Sequence, residues 1–220
     1  ELIPPSTAAE MDSLVNDISS GRVAAIIHFD TNPAYDLSPE YKYEEAVKKV
    51  PMSVTMTEQA TETSEISNYV LPIHNQLEAW GDFKTRTGFY SMQQPIIAPL
   101  YNTRQKEAIL LNWKEPKEFN ETLYKDYLTA NWEKVIYPVM GAAAPFKKFW
   151  NSVLHDGVVF LNEKPEAAGA AFSVDSFASV SRMKASNDYV VMLQNNNNVG
   201  DGRFASNGWL QELPNPITKI

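Results

Sequence analysis

The strongest constraint on this chain is a pair of short apolar runs near its start, separated by a helix-forming stretch. Val23 to Phe29 (VAAIIHF) is almost continuously apolar, as expected of a strand buried on both faces of a parallel sheet. Asp30-Thr31-Asn32-Pro33 breaks it. Ser38 with Pro39 behind it marks a helix start, since proline at the first helical position lacks only an N–H that would be unpaired there anyway. Tyr43, Ala46, Val47 and Val50 then fall on one face, Pro51 ends the helix, and Met52 to Met56 (MSVTM) reads as a second strand. Strand, helix and strand in so short a span is the βαβ rhythm.

Before this unit, Thr7 and Glu10 have capping-box spacing ahead of a helical apolar face at Met11, Leu14, Val15 and Ile18, stopped by Gly21. After it, a short helical stretch around Thr61 to Ser67 leads into a third brief strand, Tyr69-Val70-Leu71, halted by Pro72. The fold class predicted is α/β: a Rossmann-like parallel sheet with helices on both faces, in three layers, with long loop excursions. From Gly81 to Pro99 the pattern dissolves into a long connection, with Ile96 and Ile97 as its one strand-like pair. Helices are predicted at Thr103 to Trp113, after an N-cap at Asn120 through to Pro138, and at Phe146 to Asp156 with Gly157 as the stop. Beyond Val158 to Leu161 the stretch from Asn162 to Asp188 reads as surface loop with marginal strand content, and Tyr189 to Leu193 (YVVML) as the last clear strand. The chain is read as one α/β domain over residues 1–220, with 162–220 rich in loops and the Asn195 to Asn198 run a solvated turn. The start at Glu1, with no methionine, is expected of either a processed product or an excised piece of something longer.

With 44% apolar and 21% charged residues the chain is globular in composition, and its net charge of −8 has the wrong sign for tracking a phosphate backbone, so no nucleic-acid partner is expected. No apolar run reaches the length of a membrane span, so no direct insertion is expected. The absence of cysteine excludes thiolate metal sites and cysteine nucleophiles within these residues.

Of the three histidines, His28 reads as a hydrogen-bonded core residue and His155 as a helix-end residue. His74 follows a strand end, the edge where open α/β sheets place ligands. The spacing of the serines near His155 and Asp156 implies no triad. Gly200-Asp201-Gly202-Arg203-Phe204-Ala205 matches a dinucleotide pattern formally, but four asparagines separate it from the strand before it, and Asn207-Gly208 and Pro214 forbid the long helix a pyrophosphate would need. Trp113, Trp132 and Trp150 read as core aromatics. No catalytic set emerges, no metal site is expected, and the polar candidates at the sheet's C-terminal edge are Thr31, Asn32, Thr57 and His74.

Several stretches resemble the molybdopterin oxidoreductase family. Asp30-Thr31-Asn32-Pro33-Ala34-Tyr35 is similar to its strand-end loop with Asn-Pro. Thr61-Glu62-Thr63-Ser64 followed by Asn68-Tyr69-Val70-Leu71-Pro72 is similar to its T-E-T-A … V-V-L-P element. Glu78-Ala79-Trp80-Gly81-Asp82 with Thr87-Gly88 resembles the continuation. Trp150 to Val159 and Asp201 to Lys219 resemble, more narrowly, the molybdopterin-oxidoreductase-like iron–sulfur subunits of bacterial alternative complex III, a quinol-oxidising membrane assembly.

The resemblance implies an α/β domain that helps hold a pterin-guanine dinucleotide, with iron–sulfur clusters elsewhere in the parent chain. In cofactor-binding relatives the loop before Asn-Pro is glycine-rich. Here Asp30 and Thr31 stand in that place, Met56 and Thr57 stand at the second strand end, and a carboxylate at Asp30 would repel a pyrophosphate. The function expected is therefore a non-catalytic domain of a molybdopterin-oxidoreductase-like electron-transfer subunit in a membrane-bound quinol oxidoreductase. Its cofactor site would be vestigial, formed by Thr31, Asn32, Thr57 and His74, with no cofactor in this stretch. Its partners would be other domains of the parent chain and other subunits, at the periplasmic face of the cytoplasmic membrane. The alternatives are a cofactor-binding domain of an active molybdenum oxidoreductase and an exported ligand-binding module.

Overall fold

The computed structural model describes residues 6–116, 118–141, 144–162, 189, 196–200, 202 and 204–217. The chain divides into two compact units, 1–167 and 168–220.

In the first unit, α1 (Ala8–Ser19) opens on the full capping box: the Thr7 side chain accepts from the Glu10 N–H, and the Glu10 carboxylate accepts from the Thr7 N–H. A parallel sheet follows in the order β1 (Ala25–Phe29), β2 (Met52–Thr57), β3 (Tyr69–Pro72), with Ala25 opposite Met52 and Val54 opposite Tyr69. The crossover from β1 to β2 is not one helix. It comprises α2 (Pro33–Asp36), a 3-10 turn at Pro39–Tyr41 and α3 (Tyr43–Val47), because Lys42 adopts a left-handed φ of 48° that interrupts the helix predicted from Ser38. The predicted apolar face survives the break: Tyr43, Ala46, Val47 and Val50 are all buried, and form a core with Val15 and Ile18 of α1. α4 (Glu62–Glu65), capped by Thr61, joins β2 to β3.

α1 and α3 cover one face of this sheet. On the other face Phe29 lies beneath the Lys106 ammonium at the start of α5 (Lys106–Lys114), 5.4 Å from the ring centre. Helices therefore approach both faces, as the α/β fold class required. β1 is an edge strand among the described residues and Ile27 is 44% exposed, so the reading of Val23 to Phe29 as buried on both sides holds only for the face carrying His28.

The larger departure is a second sheet. Gly81 to Gln93 folds as an antiparallel hairpin, β4 (Gly81–Arg86) and β5 (Phe89–Gln93), extended by β6 (Val158–Phe160). Gly88 turns the hairpin with φ 73°, a conformation that costs glycine little. Ile96 and Ile97 form no strand and are exposed. Against this sheet pack α6 (Leu123–Asn131), a π-helical turn at Trp132–Ile136, α7 (Tyr137–Met140) and α8 (Phe146–Asp156). The core there contains Met92, Leu128, Trp132, Ile136, Phe149, Trp150 and Val153. Trp132 and Trp150 are buried as predicted, but Trp113, at 46% exposure, is not part of the core. The predicted cap Asn120 sits two residues early: its side-chain oxygen accepts from the N–H of Thr122, and Thr122 is the N-cap of α6. Gly157 ends α8 in the left-handed region, φ 72°, as predicted.

In the second unit Asn196 and Gly200 exchange two backbone hydrogen bonds around a tight turn, in keeping with the solvated turn read there. α9 (Gly208–Glu212), capped by Asn207, is five residues long, too short for the pyrophosphate helix of a dinucleotide motif. The predicted strand from Tyr189 to Leu193 and the loop from Asn162 to Asp188 lie almost wholly outside the described residues. No helix among the described residues is long and apolar enough to cross a membrane.

Candidate functional site

The parallel sheet brings the ends of β1, β2 and β3 to one edge, and the four predicted polar residues follow these ends. Each is held differently. Thr31 is exposed. Asn32 spends its whole amide on α4: its Oδ1 accepts from the Thr63 N–H (3.1 Å) and Thr63 hydroxyl (2.8 Å), and its Nδ2 donates to Glu62 (2.7 Å). Asn32 thus satisfies an N–H in the first turn of a helix distant in sequence, a group that would otherwise lack a partner. The Glu62 carboxyl is held below the usual range chiefly by the Asn32 donation. The Thr57 hydroxyl donates to the Gln59 carbonyl (2.8 Å), closing its own loop.

His74 belongs to a separate cluster. Its Nδ1 is hydrogen-bonded to the Thr103 hydroxyl (2.6 Å) and lies 3.9 Å from the buried Glu78 carboxylate, while Nε2 lies 4.0 Å from Glu121. Burial pushes the imidazole pKa below its ordinary value, against the Glu78 and Glu121 carboxylates and with help from Arg104. The strand-end edge thus splits into an Asn32 latch, a Thr57 turn and a His74 cluster.

Sequence reasoning missed Lys106 as the partner of Asp30. The Lys106 ammonium donates to the Asp30 carboxylate at 2.6 Å across 76 positions of sequence. It also missed Glu78, whose Oε1 accepts from the Leu100 N–H (2.9 Å) and whose Oε2 accepts from the Asn75 N–H (3.1 Å). The Glu78 capping box with Asn75 was the one local signal available.

Deeper in the sheet, His28 is buried with Nδ1 on the Thr55 hydroxyl (3.0 Å) and Nε2 on the Tyr43 hydroxyl (2.8 Å), the core histidine that was predicted. Burial lowers its pKa, and burial raises that of Tyr43 to about 12, so both are neutral at pH 7. Thr55 continues to Ser67, and Ser67 donates to the Thr63 carbonyl, so one hydrogen-bonded chain runs from Tyr43 to the Asn32 latch. On α8, Asp156 accepts from Ser152 (3.2 Å) and is bonded to His155 (2.8 Å). The carboxylate, not the imidazole, is central, so this trio cannot pass a proton from serine to histidine.

A pyrophosphate at the strand ends would require unclaimed N–H donors and free cations. The donor set present is the opposite. The Asp30 N–H donates to the Met56 carbonyl, and Asp30 occupies Lys106. Glu58 accepts from the Asn75 amide at 2.6 Å, and Glu62 is an exposed carboxylate. These residues do not fit a pterin dinucleotide. Among the described residues no group of three His, Asp or Glu side chains is placed to hold a metal.

No sequence-family profile matches the chain. Over 177 residues it is 26% identical to the menaquinone reductase, molybdopterin-binding-like subunit of Nitratidesulfovibrio vulgaris. The chain is similar to a molybdopterin-binding-like subunit. The match covers 76% of this chain and 24% of that protein, so the chain spans about a quarter of its relative's length. The resemblance to molybdopterin oxidoreductases read from the Asn-Pro loop and the T-E-T-S element is borne out at this level. Among solved structures, acetylene hydratase from Pelobacter acetylenicus superimposes with a TM-score of 0.49 at 13% identity, over 71% of this chain and 21% of that one.

Proposed function

We propose that these residues form a non-catalytic α/β domain of a molybdopterin-oxidoreductase-like subunit, serving as scaffold and docking surface in a membrane-bound quinol oxidoreductase. The observation that carries this reading is the closure of the strand-end edge on itself. The Asn32 amide is bonded to α4, and Lys106, the cation beside Asp30 among the described residues, is bonded to that carboxylate. Thr31, Asn32, Thr57 and His74 are on this reading the remnant of a cofactor site, in which Asn32, Thr57 and His74 serve as internal fastening and Thr31 is exposed. The name of the similar protein, a molybdopterin-binding-like subunit of a menaquinone reductase, supports an assembly with other subunits. Electron transfer would run through parts of the polypeptide outside this stretch, at the periplasmic face of the membrane.

Molybdenum and pterin content of the purified full-length protein tests the reading. Less than a tenth of an equivalent of each is expected. One equivalent of both, lost on Asn32→Ala, would replace it with an active molybdenum oxidoreductase in which this domain holds the cofactor.

A further inference from the structure

The longest stretch of the chain without a charged residue, Thr87 to Thr103, ends at the surface. Within it Ile96, Leu100 and Tyr101 are 78%, 71% and 79% exposed, and Ile97 and neighbouring Leu77 are exposed beside them. Single exposed apolar residues are ordinary on a protein surface, but four in one short stretch with a fifth beside them are not.

The segment is held out rigidly. The Ile96 and Ile97 N–H groups both donate to the Leu77 carbonyl, at 2.7 and 3.2 Å. The Leu100 N–H donates to the buried Glu78 carboxylate, and the Thr103 hydroxyl is bonded to buried His74. Gln93 donates to the carbonyls of Gln76 and Ala79, and Pro95 and Pro99 restrict the backbone between these ties. A segment fixed in this way loses little further freedom on binding, which is what a preformed contact surface requires.

We propose that residues 94–103, with Leu77, form the docking face for another protein subunit, one presenting an apolar patch with a basic rim. The proposal rests on the reading of the chain as a subunit of a larger assembly and names where that assembly is joined. Absence of charge with exposed Ile, Leu and Tyr matches the core of a protein–protein interface. The exposed carboxylates beside the patch, Glu58 bonded to Asn75 and Glu121 beside His74, outnumber the one cation described among them, Arg104, which pairs with Glu121 at 3.9 Å, and leave the patch a net acidic edge. That edge complements a cationic partner and opposes an anionic lipid surface.

Ile96→Glu and Leu100→Glu in the full-length polypeptide test this, since both side chains are exposed and the fold tolerates them. The complex extracted from membranes is expected to lose a co-purifying subunit at least tenfold in each variant, with an unchanged thermal midpoint. Val139→Glu, on an exposed position of α7, is expected to retain it. A photocrosslinker at position 101 is expected to label that same subunit in native membranes. Retention of every subunit by both variants overturns the proposal. So does a crosslink to a second copy of the chain, or patch-dependent sedimentation of the wild type with phosphatidylethanolamine–phosphatidylglycerol vesicles. If the wild type co-purifies with no other polypeptide, the subunit reading itself falls and the patch with it, a result distinct from failure of the variants alone.

Discussion

Between β1, β2 and α3 a buried polar layer of His28, Ser53, Thr55 and Thr63, with the Tyr43 hydroxyl turned inward, lies beside the apolar core of Val15, Ile18, Ala46, Val47 and Val50, whereas beneath β5 and β6 the interior is built of Trp132, Phe149, Trp150 and Val153. In the first region side chains are tied by directional bonds of 2.7 to 3.0 Å running from Tyr43 to Glu62. In the second, ring packs on ring, Trp132 to Trp150 at 5.8 Å and Trp132 to Tyr90 at 6.2 Å, with polar ties from the Trp132 indole to Asp82 and from the Tyr137 hydroxyl to the Ala144 carbonyl. A buried polar network is favourable only when every member is satisfied, while an aromatic cluster depends on filled volume. The parallel region should therefore be sensitive to the loss of single atoms and the antiparallel region to the loss of bulk.

Four substitutions or titrations would break or sharpen that contrast. Trp132→Ala should have the largest effect, about 3–5 kcal/mol, because a wholly buried ring leaves a cavity that its aromatic neighbours cannot fill. Urea unfolding of the full-length protein measures it, and a loss below about 1 kcal/mol would show that the region tolerates lost volume. Asn32→Ala should cost about 1–3 kcal/mol although it removes few atoms, since it leaves the N–H of buried Thr63 without an acceptor. Its signature is faster hydrogen exchange in α4 with exchange in α8 unaltered. Thr7→Ala, outside both regions, should cost about 1 kcal/mol through the lost cap of α1 and set the scale for a purely local change.

The last and gentlest effect is one of slope. His28 and His74 both have pKa values below the ordinary 6.5 because burial disfavours the imidazolium. The unfolded chain therefore binds more protons than the folded one below that value. The stability contributed by neutral His28 and His74 is present above pH 6.5 and lost as pH falls through the lowered folded values. Hydrogen exchange followed from pH 7 to 5 should show protection declining first in the parallel sheet. A decline that begins in α8 would contradict the assignment.

The parallel half was the more legible because its signals are local. Apolar runs, proline at helix starts and the capping pair Thr7–Glu10 each fix structure within a few residues. The hairpin from Gly81 to Gln93 was hidden because β4 inverts the usual alternation, with Asp82 and Lys84 standing opposite Met92 and Tyr90 on the core side and Phe83 exposed on the other, and only Thr87-Gly88 between Arg86 and Phe89 hinted at the turn. At the strand-end edge, the positions of Thr31, Asn32, Thr57 and His74 could be read from where the strands stop. Their bonding could not, since Asn32 finds Thr63 and Asp30 finds Lys106 only after the crossovers have closed. Trp113 looked like core because helical spacing shows that a face is apolar without showing whether anything packs on it.

Asp30 adopts φ 56°, a backbone shape that residues with a Cβ rarely take and glycine takes freely. The turn after β1 is therefore already contoured as a glycine loop would be, and what closes it to an anion is a carboxylate and the lysine it holds. Gaining or losing affinity there asks for the exchange of a side chain on a standing main-chain path, a far shorter evolutionary distance than remaking the loop. Asp30→Gly would be accommodated without rearrangement and would release Lys106 toward the solvent.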